Sequence, residues 1–359
     1  MNPAALRAQF PVLDRLTYLN AGTCGPLPTP AVAAMASALQ AAAEHGRAAD
    51  YFEQFLALAD RQRAAYAALV GAQPTDVALT TSTSDGIVRV LHALALRPGD
   101  EILTAPDEHP GLLGPLAAAR DRSGVTVRAV PFERLADEVG ERTRLVACSH
   151  VSWSTGAVAP PGLADLGDEV ALLLDGAQGA GAVPVDTDAL GCAFYAASGQ
   201  KWLCGPVGTG FLYVAPRWRE RLPPTGPTYL ALADPASGLQ ASPHPDARGH
   251  DTPAIALEVL AAAAGAFVVL AEAGWDAVHS RGVHLAEALA VELRSRGRRV
   301  ASRGPTTLVS FEDPDPPATK TRLAAQGIVI RDLPGTPYLR ASVGAWNDET
   351  DLARLIAAL

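Results

Sequence analysis

The chain has 359 residues, 48% of them apolar, enough for a large core and for two domains or one domain with a satellite. Its net charge of −9, without a long basic run, argues against a nucleic-acid binder. Four cysteines without a CxxC pair, no apolar leader and a longest apolar stretch of only residues 259–271 read as a reduced, cytoplasmic, membrane-free protein.

Residues 3–10 read as a short helix that Pro11 ends. The segment Leu19-Asn20-Ala21-Gly22-Thr23-Cys24-Gly25-Pro26 is dense in glycine and proline and reads as a shaped loop. Residues 31–69 are alanine-rich and predict two helices broken near Gly46, the second with Tyr51, Phe52, Phe55 and Leu56 on its apolar face. A strand over 77–80 enters Thr81-Ser82-Thr83-Ser84-Asp85-Gly86, followed by a helix over 87–96. Strand, hydroxyl-rich loop and helix start together suit a phosphate, because free N–H groups and hydroxyls donate side by side. Ordinary N-capping by Ser84 explains one of those hydroxyls.

A strand over 101–105 ends at Asp107-Glu108-His109-Pro110, where the His109 ring can stack on a flat ligand or serve structure alone. A helix over 114–122 and a strand over 125–130 follow, and a strand over 145–148 runs into Ser149-His150-Val151-Ser152-Trp153. The apolar run 170–174 ends on Asp175, the segment 192–197 leads to Ser198-Gly199-Gln200-Lys201, and 211–214 closes the unit. This alternation predicts an α/β fold with a doubly wound parallel sheet, whose ligands sit beyond the carboxyl ends of the strands.

After a proline-rich stretch to about residue 250, Asp251-Thr252-Pro253 reads as the cap of a long helix to 273, and a further helix covers 275–297. The remainder predicts a small α+β unit: strands 298–302 and 306–311, a helix 318–326, strands 328–331 and 338–343, and a helix from Asp348. The expected division is a large domain, 15–255, and a small domain formed by 1–14 with 256–359. Arg331 and Arg340 lie on or beside the last strands, where an arginine can clamp a carboxylate or simply decorate a sheet edge.

Lys201 and Lys320 are the lysines of the chain, and Lys201 stands among glycines at the end of a buried segment. A lysine in a dry pocket loses its proton readily and forms a Schiff base with a carbonyl. An aspartate such as Asp175 can hold a pyridinium nitrogen, and the pair is what pyridoxal phosphate (PLP) needs as an electron sink. A dinucleotide fingerprint is excluded, since Gly176, Gly179 and Gly181 have the wrong order of spacings and Pro184 blocks the following helix. His279 and His284 miss the i, i+4 spacing of a zinc hydrolase.

Taken together these residues resemble the class V aminotransferase group of fold-type I PLP enzymes, which includes cysteine desulfurases and isopenicillin N epimerase-like proteins. The resemblance rests on Leu19-Asn20-Ala21 with Gly25-Pro26, Thr83-Ser84-Asp85-Gly86-Ile87, Glu108-His109, Ser149-His150-Val151-Ser152, Asp175-Gly176-Ala177-Gln178, Gln200-Lys201-Trp202 with Gly205-Pro206, Thr252-Pro253 and Arg340-Ala341-Ser342. It implies a large domain with a mostly parallel seven-stranded sheet and a small α+β C-terminal domain. It also implies that Lys201 carries PLP as a Schiff base and later moves the Cα proton of an amino-acid substrate. Asp175 would hold the ring nitrogen, Gln178 the ring hydroxyl, and His109 would stack on the ring. Thr83, Ser84, Ser198 and Gln200 would hold the phosphate. Thr252 would reach the phosphate of a neighbouring subunit, hence a homodimer with shared sites. Arg340 would take the substrate carboxylate, with Asn20 and Trp153 beside the substrate.

Three positions depart from the group's pattern. Gln200 stands where many relatives have histidine, Trp153 where desulfurases have asparagine, and Asp332-Leu333-Pro334-Gly335-Thr336-Pro337 has no nucleophilic cysteine. Persulfide-type desulfurase chemistry is therefore disfavoured, while transamination, epimerisation and β-elimination with C–S lysis stay open. The alternative is a non-catalytic PLP-fold binding or regulatory protein, against which the intact Lys201, Asp175 and His109 argue.

Overall fold

A computed structural model describes all 359 residues. Seven strands form the central sheet: β1 (Val77–Thr80), β2 (Glu101–Thr104), β3 (Thr126–Ala129), β4 (Thr143–Ser149), β5 (Ala171–Asp175), β6 (Phe194–Ser198) and β7 (Gly210–Val214). Their spatial order is β1-β7-β6-β5-β4-β2-β3. All neighbours run parallel except β7, which is antiparallel to both β6 and β1. The sheet is thus the mostly parallel seven-stranded one expected. Every residue of β5, β6 and β7 is buried, as a sheet covered by helices on both faces requires.

The register decides where chemistry collects. Ser149 pairs with Asp175, and Asp175 with Ala196, so the carboxyl ends of β4, β5 and β6 meet at one edge. The helix Thr83–Ala93 points its start at the same edge.

A second unit holds β8 (Leu308–Glu312), β9 (Arg331–Asp332) and β10 (Tyr338–Ser342), antiparallel in the order β9-β10-β8. The N-terminal segment is tied to it: Arg7 donates to Asp351 at 2.7 Å, and the Phe10 and Trp346 rings lie 5.2 Å apart. The strand Thr17–Tyr18 pairs with Ile328–Val329. The helix Leu257–Ala273 lies against the helices Thr29–His45 and Ala49–Leu69, and its Leu260 belongs to the core of the large sheet. No single helix is long and apolar enough to cross a membrane.

Four local expectations are corrected. The helix expected over 87–96 begins at Thr83, because Ser82 rather than Ser84 caps it, accepting from the Asp85 amide. Asp251-Thr252-Pro253 does not cap the following helix, which starts at Leu257; Asp251 is taken by the buried Arg63 guanidinium and the Leu79 amide. Residues 298–302 form no strand, only a bridge from Val300 to Phe311, and the Arg303 side chain turns back to the Leu308 carbonyl. The strand expected over 328–331 is split into Ile328–Val329 and Arg331–Asp332, which join different sheets.

Candidate active site

At the edge where β4, β5 and β6 end lies a cavity of about 210 Å³. Its walls include Thr83, Ser84, His109, Trp153, Asp175, Gln178, Ser198, Gln200, Lys201 and Arg340, so ten of the residues singled out in the sequence converge on one space. Two do not line it. The Asn20 side chain stands behind the wall and accepts from the Thr23 hydroxyl at 2.8 Å, and Thr23 in turn accepts from Arg331 at 3.1 Å. Thr252 borders a separate cavity with Arg63 and Asp251, and its amide donates to the Leu79 carbonyl.

The helix start offers donors. The amides of Thr83 and Ser84 precede the first intrahelical acceptors and have no protein partner, as the geometry of a first turn dictates. The Thr83 hydroxyl meets Ser198 Oγ at 3.1 Å, whereas the Ser84 hydroxyl is given to the Gly111 carbonyl at 3.2 Å. One cavity wall is therefore rich in N–H and O–H groups, which suits an anion with several oxygens.

Lys201 and Asp175 face each other electrostatically within the buried floor. Burial pulls the Lys201 amine down to about 8; Asp175 opposes this, and Arg340 and Arg331 reinforce it. Burial pushes the Asp175 carboxyl up, against the pull of Lys201 and of the Ala177 amide, which donates to it at 2.9 Å. His109 is held well below its ordinary value, at about 4, by burial and then by Lys201, Arg331 and Arg340. Its Nδ1 accepts from the Gly111 amide at 3.0 Å, which leaves a neutral ring with its proton on Nε2. The Trp153 ring stands edge-on to it, 5.2 Å between centroids.

Gln178 is oriented by two bonds: Nε2 donates to the Gly22 carbonyl at 2.8 Å and Oε1 accepts from Trp202 at 2.9 Å. Gln200 leaves a buried Oε1 without a donor. Arg340 is 1% exposed, and its Nη1 donates to the Trp153 carbonyl at 2.7 Å while Nε and Nη2 have no partner. Burial, then Arg331, push it down to about 9, so it is charged at neutral pH and lacks a counter-ion. A buried fork with free donors is built for a carboxylate.

Comparison with known proteins follows the same line. The class V aminotransferase profile matches residues 17–355. The chain belongs to the class V aminotransferase family. It is 28% identical to isopenicillin N epimerase from Streptomyces clavuligerus, over 95% of this chain and 93% of that protein. It is 30% identical to a probable cysteine desulfurase from Pseudomonas aeruginosa, over 99% and 97%. Among solved structures it superposes on the cystine C–S lyase C-DES in complex with cysteine persulfide, with TM-score 0.91, 28% identity and coverage of 97% and 98%. A lysine variant of C-DES with glycine covalently linked to its PLP cofactor superposes with TM-score 0.92, 28% identity and 98% coverage of each chain.

This class V protein is an enzyme, and its cofactor is PLP. The residues present fit that group: unpartnered amides and hydroxyls for a phosphate, a buried carboxyl, a neutral imidazole and a lysine in one cavity. Arg331, Gly22, Thr23, Ser82, Ser149 and Ala177 complete the walls; all lie in stretches read from the sequence, where Ser82, Ser149 and Ala177 had no role of their own. Gly22 carries a signal only in three dimensions: a Cβ there would come within 2.8 Å of Arg340 Nη2 and 2.7 Å of Ser342 Oγ.

Proposed function

We propose that this enzyme cleaves a C–S bond by β-elimination from a cysteine- or cystine-type amino acid. The observation that carries the reading is the wall from Arg331 to Arg340: both arginines border the cavity, and the turn between them, Asp332 to Pro337, offers no thiol. No cysteine lines the cavity either, so a sulfur leaving group meets no thiol on its walls. The likeness to the cystine C–S lyase C-DES supports the same outcome. Persulfide transfer to an enzyme cysteine is disfavoured on the same grounds.

PLP supplies an electron sink that makes the Cα proton of a bound amino acid acidic. The chain's own residues do the rest. Arg340 takes the α-carboxylate through its free Nε and Nη2. Lys201 Nζ, drawn down to about 8, takes the Cα proton. The Cβ–S electron pair then leaves with sulfur, and the remaining three-carbon unit is hydrolysed by water to pyruvate and ammonia. Asp175 would hold the ring nitrogen's proton, His109 would cover the ring face, and Gln178 would serve the ring oxygen. Thr83, Ser84, Ser198 and Gln200 would hold the phosphate. Trp153 closes the mouth, its Nε1 donating to the Asp107 carbonyl at 2.8 Å. Asn20 serves the substrate side through Thr23 and Arg331.

The enzyme works as a homodimer in which Thr252 reaches the partner's phosphate, and the free cysteines suit a reducing cytoplasm. The deciding experiment supplies the holoenzyme with L-cystine, L-cysteine and a panel of sulfur-free amino acids. Pyruvate and ammonia from the sulfur compounds are expected. Conversion of the cofactor to its pyridoxamine form, or inversion at Cα without pyruvate, would replace this reading by a transaminase or an epimerase. Light scattering that finds a monomer would remove the shared-site assignment of Thr252.

A further inference from the structure

Glu108 precedes His109 and is only 4% exposed, yet no basic side chain accompanies it. Both of its oxygens are engaged by one residue. Oε1 accepts from the Ser149 amide at 2.8 Å, and Oε2 lies in hydrogen-bond contact with Ser149 Oγ. Ser149 itself lines the cavity and is the register partner of Asp175. The titratable groups facing Glu108 are Asp107 of its own turn, Cys148 on β4 and Asp175 on β5. A buried carboxylate without a cation, beside two other carboxylates, is costly to ionise.

We propose that Glu108 is a positioning residue that acts through Ser149: protonated, it donates to Ser149 Oγ and frees the serine's own hydrogen for an oxygen acceptor in the cavity. The proton balance is local. In the neutral state Glu108 Oε1 accepts the Ser149 N–H, Glu108 Oε2–H donates to Ser149 Oγ, and the serine O–H turns to the ligand. In the ionised state the serine O–H must turn back to the carboxylate, and the cavity loses a donor. Burial, with Asp175 and Asp107 adding to it, pushes this carboxyl up to about 8, although the Ser149 bonds pull it down. The serine therefore faces the ligand at neutral pH and withdraws as pH rises through that value.

The reading rests on the PLP site already described, and its test does not depend on which reaction the enzyme performs. Apoenzyme is titrated with PLP across about pH 8 for wild type, Ser149→Ala, Glu108→Gln and the double variant. Comparing each pair at one pH cancels the titration of Lys201. In the wild-type background, removing the serine hydroxyl weakens PLP about tenfold at neutral pH and hardly at all on the alkaline side. In the Glu108→Gln background the carboxamide donates permanently to Ser149 Oγ, so the same ratio stays constant with pH. Difference infrared spectra of the wild-type protein carry a carboxylic-acid band that fades through the same pH window and is missing in Glu108→Gln. A ratio of one at every pH, a pH-dependent ratio that survives Glu108→Gln, or a wild-type protein without the acid band overturns the proposal.

Discussion

Gly25 packs without a side chain against the carbonyl oxygen of Lys201, and its amide donates to the neighbouring Gln200 carbonyl at 2.7 Å. A Cβ at position 25 would overlap that oxygen. Gly25→Ala must push back the segment that carries the Lys201 amine. A shift of about 1 Å in a reacting group costs on the order of 10²-fold in rate. The expected result is a kcat/KM loss of that order with the fold retained by circular dichroism; unchanged kinetics would mean the loop yields instead.

Lys201→Ala removes the amine that stands in the floor of the cavity. The visible absorbance of protein-bound PLP should shift to that of the free aldehyde, and turnover should fall by at least about 10³-fold. Retention of the wild-type spectrum would assign the cofactor linkage elsewhere, and Lys320, tied to Asp332 in the small unit, offers no substitute.

Arg340→Lys keeps a charge and loses the planar fork whose Nε and Nη2 stand free. The cost should be about 1.5–3 kcal/mol, read as a rise in KM for amino acids of roughly one to two orders of magnitude. Binding of PLP to the apoenzyme should hardly change, which separates this residue's effect from that of the floor.

Arg63 and Asp251 form a bidentate pair at 2.9 and 2.8 Å with both side chains under one-tenth exposed. Arg63→Met leaves Asp251 buried without a cation and should destabilise by about 3–5 kcal/mol in urea unfolding. Replacing both by apolar residues of like volume should recover much of that loss, because the desolvation cost of the pair disappears with it.

Four histidines, His109, His150, His250 and His279, are each pushed down to about 4 by burial, from an ordinary 6.5. In the window between those values the unfolded chain binds protons that the folded chain refuses, so stability should fall as pH drops from about 6.5 to about 4. Glu108, raised to about 8, has the opposite sign: the folded form binds its proton more tightly, and stability declines as pH rises toward that value. Denaturant midpoints measured across the acid window test the first effect. His279→Phe, which removes a ring with both nitrogens unpartnered, should flatten the acid limb.

Much of the large unit was legible because it obeys simple periodicity. The runs ending at Asp175 and Ser198 are apolar and bounded by small polar residues, so their strand ends and their shared edge could be read directly. The hydroxyl-rich loop at Thr83 announced itself by consecutive Ser and Thr residues, although the helix begins four residues earlier than its apolar pattern. What stayed illegible depends on contacts between distant segments. Asp251 looked like a cap until Arg63, far away in sequence, claimed it. Ser149 read as the first residue beyond a strand, and only the fold makes it the strand's last residue, set between Glu108 and the cavity. Residues 298–302 have strand composition, but a bridge to Phe311 and the hook of Arg303 are all that form. Gly22 showed in the sequence only as part of a glycine- and proline-rich loop, since its neighbours Arg340, Ser342 and Gln178 come from distant segments.

The two units are sewn together at the cavity rather than hinged beside it. Arg340 holds the Trp153 carbonyl, Ser310 the Ser154 carbonyl at 2.5 Å and Thr306 the Gly156 carbonyl at 2.8 Å, three ties from the small unit to one loop of the large sheet. The ordering entropy of the Arg340 fork is thereby met once, during folding, and not again at each ligand encounter. Association should consequently resemble insertion into a rigid mould, with rates governed by diffusion and charge and with little of the slow, temperature-steep step that a closing domain would impose.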